Sequence, residues 1–139
     1  MFDTTVFVAA LRSDRGASRV LLRAALERRF VLLASVPLII EYEAVATREE
    51  HLQAARLSAA DVHVVIDALA MVVEPVRLAY LWRPTLPDAD DDMVLETAVN
   101  GRATSLVTLN TRDFAHGASR FDVRIVTPAE TLTRLRRRS

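Results

Sequence analysis

Short apolar runs alternate along the chain with longer stretches in which apolar residues recur every three or four positions, a pattern that predicts strands alternating with helices. Residues 30–34 (Phe-Val-Leu-Leu-Ala) read as a buried strand, and so do 105–108 (Ser-Leu-Val-Thr) and 123–126 (Val-Arg-Ile-Val). Residues 72–76 read as an edge strand, because Pro75 has no amide hydrogen to give a ladder. Helices are expected over 17–29, where Val20, Leu21, Ala24 and Ala25 share a face, and over 36–47, with Pro37 tolerated in the first turn. Ser58, with Asp61 three residues on, starts a helix that runs to about Met71. Asp88 is placed to cap a helix ending near Gly101, and Thr127-Pro128 opens a last one carrying Leu132 and Leu135. This order belongs to an α/β protein with a mainly parallel sheet. Ligands of such sheets bind just beyond the carboxyl ends of the strands.

At 139 residues, 51% of them hydrophobic, the chain is expected to form one domain over 1–139. No apolar run approaches the roughly 20 residues of a membrane span, and the apolar stretch 6–11 lacks the basic lead of a signal peptide. A cytoplasmic protein with no membrane role is the expectation. The absence of cysteine excludes disulfides, thiolate catalysis and cysteine-rich zinc sites. Eighteen acids balance eighteen basic residues, all of them Arg, so lysine-dependent mechanisms are excluded too. The basic end (Arg134, Arg136, Arg137, Arg138) contrasts with the acidic run Asp88, Asp90, Asp91, Asp92. Such a basic end can attract a phosphate backbone or simply complement a helix dipole.

The acids fall where the strand-end rule puts chemistry. Asp3 follows the apolar start, Asp88 and Asp91 open a helix after a proline-rich loop, and Asp113 comes five residues after the strand ending at Thr108. Glu41 lies one turn inside a helix among Leu38, Ile39, Ile40, Ala44 and Val45, so its charge needs a partner, either an Arg or a cation. Periodicity alone does not decide whether Glu41 or Glu43 points inward. Asp88, Asp91, Leu95 and Ala98 share a helical stripe from which Asp90 and Asp92 fall away. Taken alone, that acidic run reads equally well as ordinary helix N-terminal charge. Converging carboxylates repel one another unless a cation sits among them, and Mg²⁺ or Mn²⁺ favours such oxygen-rich sites. Nucleases use that arrangement to activate water and neutralise phosphate charge. His51, His63 and His116 read as structural, and Tyr80 and Trp82 as core or interface cover. Ser35 and Ser105 have no His at triad spacing.

Four segments together resemble the PIN-domain family: Phe2-Asp-Thr-Thr-Val-Phe-Val8, the helix around Glu41, Asp88-Ala-Asp-Asp91-Asp-Met-Val-Leu, and Leu106-Val-Thr-Leu-Asn110-Thr-Arg-Asp113-Phe114. The resemblance runs in order from Asp3 to Pro128 and is nearest to toxin components of the VapC-like group. It implies a three-layer α/β/α domain with a parallel five-stranded sheet and divalent-metal-dependent cleavage of RNA. It further implies a cognate antitoxin and a homodimer. By position, Asp3, Glu41, Asp91 and Asp113 would form the acidic site, with Asp88 and Asn110 as second-tier ligands and the Thr108 hydroxyl near the metal. Two departures stand out. Thr5 replaces the family's usual Asn, and Asn110 is neutral where many relatives carry an acid.

Haloacid-dehalogenase phosphatases and receiver domains also place an Asp after the first strand, but both need a Lys. The stronger rival is a PIN-like module that binds without cutting, which Thr5 and Asn110 keep open. For assembly, the helix from Ser58 to Met71 carries Val62, Val65, Ile66 and Leu69 on one side and His63, Val64 and Asp67 toward others, so it could serve a core and a second copy at once.

Overall fold

A computed structural model describes residues 1–13, 15–78, 89–118 and 121–138, with the side chains of 89–92, 116–118 and 138 outside that description. The chain begins with Phe2 in an extended bridge, then α1 (Thr4–Arg12), α2 (Ala17–Leu26), β1 (Leu33–Ala34), α3 (Val36–Ala46), α4 (Glu49–Ala55) and α5 (Ala59–Val72). There follow β2 (Glu74–Pro75), α6 (Ala89–Asn100), β3 (Ser105–Val107), α7 (Thr111–Ala118), β4 (Arg124–Val126) and α8 (Pro128–Arg138).

All strand pairing is parallel among the described residues. Leu33 and Ala34 pair with Glu74 and Pro75, while β3 pairs with β4 from Ser105↔Arg124 to Val107↔Val126. Phe2 bridges to Val107, with Asp3 N donating to Val107 O at 2.8 Å. The α/β class therefore holds, but among the described residues the continuous five-stranded sheet does not appear, and the five extended segments found there form two sets, β2-β1 and Phe2-β3-β4. The run 30–34 narrows to two strand residues, although Leu32 O still accepts from Glu74 N at 2.8 Å. The exposed β2, with Pro75, is the edge its proline demands.

A helix not anticipated over this stretch is α1, whose Val6, Phe7, Val8, Ala10 and Leu11 are all buried. Arg19 of α2 closes its far end, donating through Nε to Ala10 O and through Nη2 to Leu11 O at 3.2 Å. Ser58 and Asp61 form a reciprocal capping box for α5, whose Val62, Ile66 and Leu69 are buried. The stretch after Asn110 is also helical, so Asp113 and His116 stand on α7 and not on a loop.

The ends of α2, α4 and α6 each use an arginine. Arg28, Arg56 and Arg102 take left-handed φ values of 59°, 59° and 53°. Around each, the next residue's amide reaches back five positions: Arg29 N to Ala24 O, Leu57 N to Leu52 O, and Ala103 N to Ala98 O. This is the Schellman closure, which satisfies carbonyls left over at a helix end. Just before Arg102, Gly101 lets α6 meet the strands closely, since a Cβ there would lie 2.7 Å from Val76 Cγ2 and 3.2 Å from Leu33 Cδ1.

Candidate metal centre

Asp3 sits at the junction of the Phe2 bridge and α1, only 3% exposed. Two hydroxyls converge on its Oδ2, those of Thr5 and Thr108, each at 2.8 Å. Both hydroxyls also accept, Thr5 from Leu109 N at 3.3 Å and Thr108 from Asn110 N at 2.9 Å. The carboxylate is thus bracketed by α1 on one side and by the segment leaving β3 on the other. Burial raises the Asp3 pKa, while the Thr5 and Thr108 hydroxyls and the amides of Thr4 and Thr5 pull it down.

Glu41 approaches the same helix end. Its Oε2 accepts from the hydroxyl of Thr4, the residue after Asp3. Two residues on, Glu43 turns the other way and pairs with His63 of α5 at 3.3 Å. Glu41 is therefore the one of the pair directed toward Asp3, and Glu43 and His63 join α3 to α5.

Sequence reasoning missed what lies between the two acids. Tyr42 is fully buried, donates its hydroxyl to Phe2 O, and stacks on Phe7 with ring centroids 4.9 Å apart. Its pKa rises well above 10, through burial first and then through the charges of Asp3 and Glu41. Tyr42 thus stays neutral beside the pair. Also unforeseen is a link that seats α6. Ser35, which caps α3 by accepting from Leu38 N at 3.3 Å, lies 2.8 Å from the Thr97 hydroxyl. Glu96 beside it is buried as well. Neither position carries a signal in one sequence, where a hydroxyl reads alike in core and cap.

The remaining acids are less gathered. Asp113 lies exposed in the first turn of α7, its amide donating to Asn110 O at 3.1 Å. Asn110 is itself exposed, directly after the Thr108 that orients Asp3. Asp91 lies on α6 with its side chain outside the described part, as do those of Asp90 and Asp92, and Asp88, Tyr80 and Trp82 lie outside the described residues altogether. Among the described residues no three acids or histidines stand close enough to hold a metal ion. The donors that are gathered, Asp3 and Glu41, are hard oxygens of the kind Mg²⁺ and Mn²⁺ select. In that respect the residues fit such a cation.

Nothing among curated proteins or solved structures matches the chain significantly. A family model described as PIN domain matches residues 1–112, a span that takes in Asp3, Glu41, Asp91, Thr108 and Asn110. With that match over most of its length, the chain belongs to the PIN-domain family.

Proposed function

We propose that the protein is a divalent-metal-dependent endoribonuclease whose carboxylate set is Asp3, Glu41, Asp91 and Asp113. PIN domains are in general nucleases and typically use divalent metals. The observation that carries the reading is Asp3, a buried carboxylate aimed by two hydroxyls, with Glu41 anchored on the neighbouring residue. Burying an acid in this way is costly unless a cation or a reaction uses it. Asp3 and Glu41 would hold Mg²⁺ or Mn²⁺, with Asp88 and Asn110 in supporting places. The cation would supply an activated water and neutralise charge on the phosphate. Thr5, Thr108 and Thr4 fix the carboxylates, and Tyr42 stays neutral beside them.

The loss-of-activity reading draws on Thr5 and Asn110. Thr5 nevertheless gives Asp3 the hydrogen bond that orients it, so the departure from Asn leaves the bracket intact. A toxin role and a cognate antitoxin are what the VapC-like resemblance implies. Among the described residues no helix is long and apolar enough to cross a membrane. A homodimer has support on the surface of α3 and α5. Val36, Ile40 and Ala44 stand exposed at successive turns of α3, and Val64, Ala68 and Met71 do so on α5.

The test is cleavage of RNA by purified protein with Mg²⁺ or Mn²⁺. Activity is expected to stop with chelator and to be lost in Asp3→Asn and in Asp91→Asn. Undiminished cutting by both variants would overturn the carboxylate assignment.

A further inference from the structure

Parallel strands have two ends, and the carboxylates occupy only one. At the other, where the Phe2 bridge, β1, β3 and β4 begin, lies a groove of about 1020 Å³. Arg102, Arg124, Arg134 and Arg137 stand around it together with Arg29 and a single acid, Glu74. The first four are exposed, and among the described residues none of them forms an ion pair. Four guanidinium groups held around one concavity without acidic partners repel one another, and a polyanion relieves that repulsion.

The groove is more than a charged rim. Its walls include Phe30, Leu33 and Leu135, and Phe30 packs edge-on against Phe2 with centroids 6.0 Å apart. Thr131, Arg134 and Leu135 are spaced i, i+3, i+4, so one face of α8 supplies both charge and apolar surface. Guanidinium forks suit phosphate oxygens, while apolar and aromatic walls suit bases.

We propose that this groove binds a short single-stranded segment of RNA, holding its phosphates with Arg102, Arg124, Arg134 and Arg137 at the end of the sheet opposite the carboxylates. The choice of RNA rests on the nuclease reading, but the binding does not pass through the metal centre. A substrate gripped here and cut at the far end must curve around the domain, which favours structured RNA with an unpaired tail over short linear pieces.

The experiment is fluorescence anisotropy of a labelled oligouridylate of about ten nucleotides in excess chelator, so that binding is read without cleavage. The full chain is compared with Arg124→Ala/Arg134→Ala between about 50 and 200 mM salt. The double variant is expected to bind at least about tenfold more weakly at the lower salt, with the log–log salt slope reduced by about 1.4. Arg134→Gln alone, a neutral change on an exposed helix face, is expected to reduce the slope by about 0.7 and keeps the test usable should the double variant misfold. An unchanged slope in folded variants, or no RNA binding by the parent, would overturn the proposal. So would binding of a polyglutamate peptide in place of RNA, which would assign the groove to an acidic protein. Metal-dependent cleavage with unaltered affinity in the variants would remove the groove and leave the nuclease. Variant-sensitive binding with no cleavage would do the reverse.

Discussion

Asp3 Oδ2 takes two hydroxyl hydrogen bonds from residues that carry no charge, so its acidity depends on neighbours that look inert. Each of these hydrogen bonds holds the Asp3 pKa down, so removing a donor lets it rise. Thr108→Val is expected to move the acid limb of the cleavage profile to higher pH, and to cost about 1–3 kcal/mol as the Asn110 amide loses its acceptor. A pH–rate series with thermal melts checks both. The metal-free protein carries a second signature. Burial holds the Asp3 pKa above its unfolded value, so the stability it contributes is present below the unfolded pKa and lost as pH rises through the folded one. Asp3→Asn cannot ionise, and is expected to raise the melting temperature of chelated protein at neutral pH and flatten its fall from acid to neutral. A lower melting temperature for this variant would show that the charge is compensated. Asp3 and Glu41 were legible in the sequence because acids in apolar company demand an explanation. Thr4, Thr5 and Tyr42 were not legible as their partners, because each reads as an ordinary core or helix residue until folding brings it to a carboxylate.

Helix ends divide the elements into those the sequence declares and those it conceals. The start of α5 is declared by Ser58 and Asp61, and both arms of that box form. The ends of α2 and α4 are concealed, because Arg stands where glycine would mark a left-handed stop, whereas α6 ends beside Gly101 as its sequence suggests. Arg56→Gly is expected to stabilise the protein by about 1 kcal/mol, since a side chain in that conformation is strained and glycine is not. Denaturant melts measure the shift, and a destabilised variant would show that the Arg56 side chain outweighs the strain. Gly101→Ala makes the opposite case. Its methyl would press on Val76 and Leu33, where helix meets strand, at an expected cost of about 1–3 kcal/mol by the same measurement. For α1 the local mark was Asp3, which stands at its N-cap position but reads in the sequence first as a site acid.

At the scale of the molecule, a formal net charge of zero hides two unlike ends. The exposed rows on α3 and α5 belong to the same scale, and light scattering at micromolar concentration is expected to give twice the 15.5 kDa chain mass. A monomer mass would remove the dimer and leave the metal centre untouched. The strand-end rule drew attention to Asp3 in the sequence, but the arginine groove escaped it, since its residues are scattered from Arg102 to Arg137 and only topology collects them. Topology also imposes an order in time. Phe2 finds its strand partner at Val107, and Asp3 is aimed by a hydroxyl that arrives 105 residues later. During synthesis the carboxylate emerges well before Thr108, with only the Thr5 hydroxyl of the two beside it. A chain cut before Thr108 keeps the acid and Thr5 but lacks the second hydroxyl that brackets it. The complete bracket around Asp3 is therefore a property of the folded chain, which a cut before Thr108 removes without touching Asp3 itself.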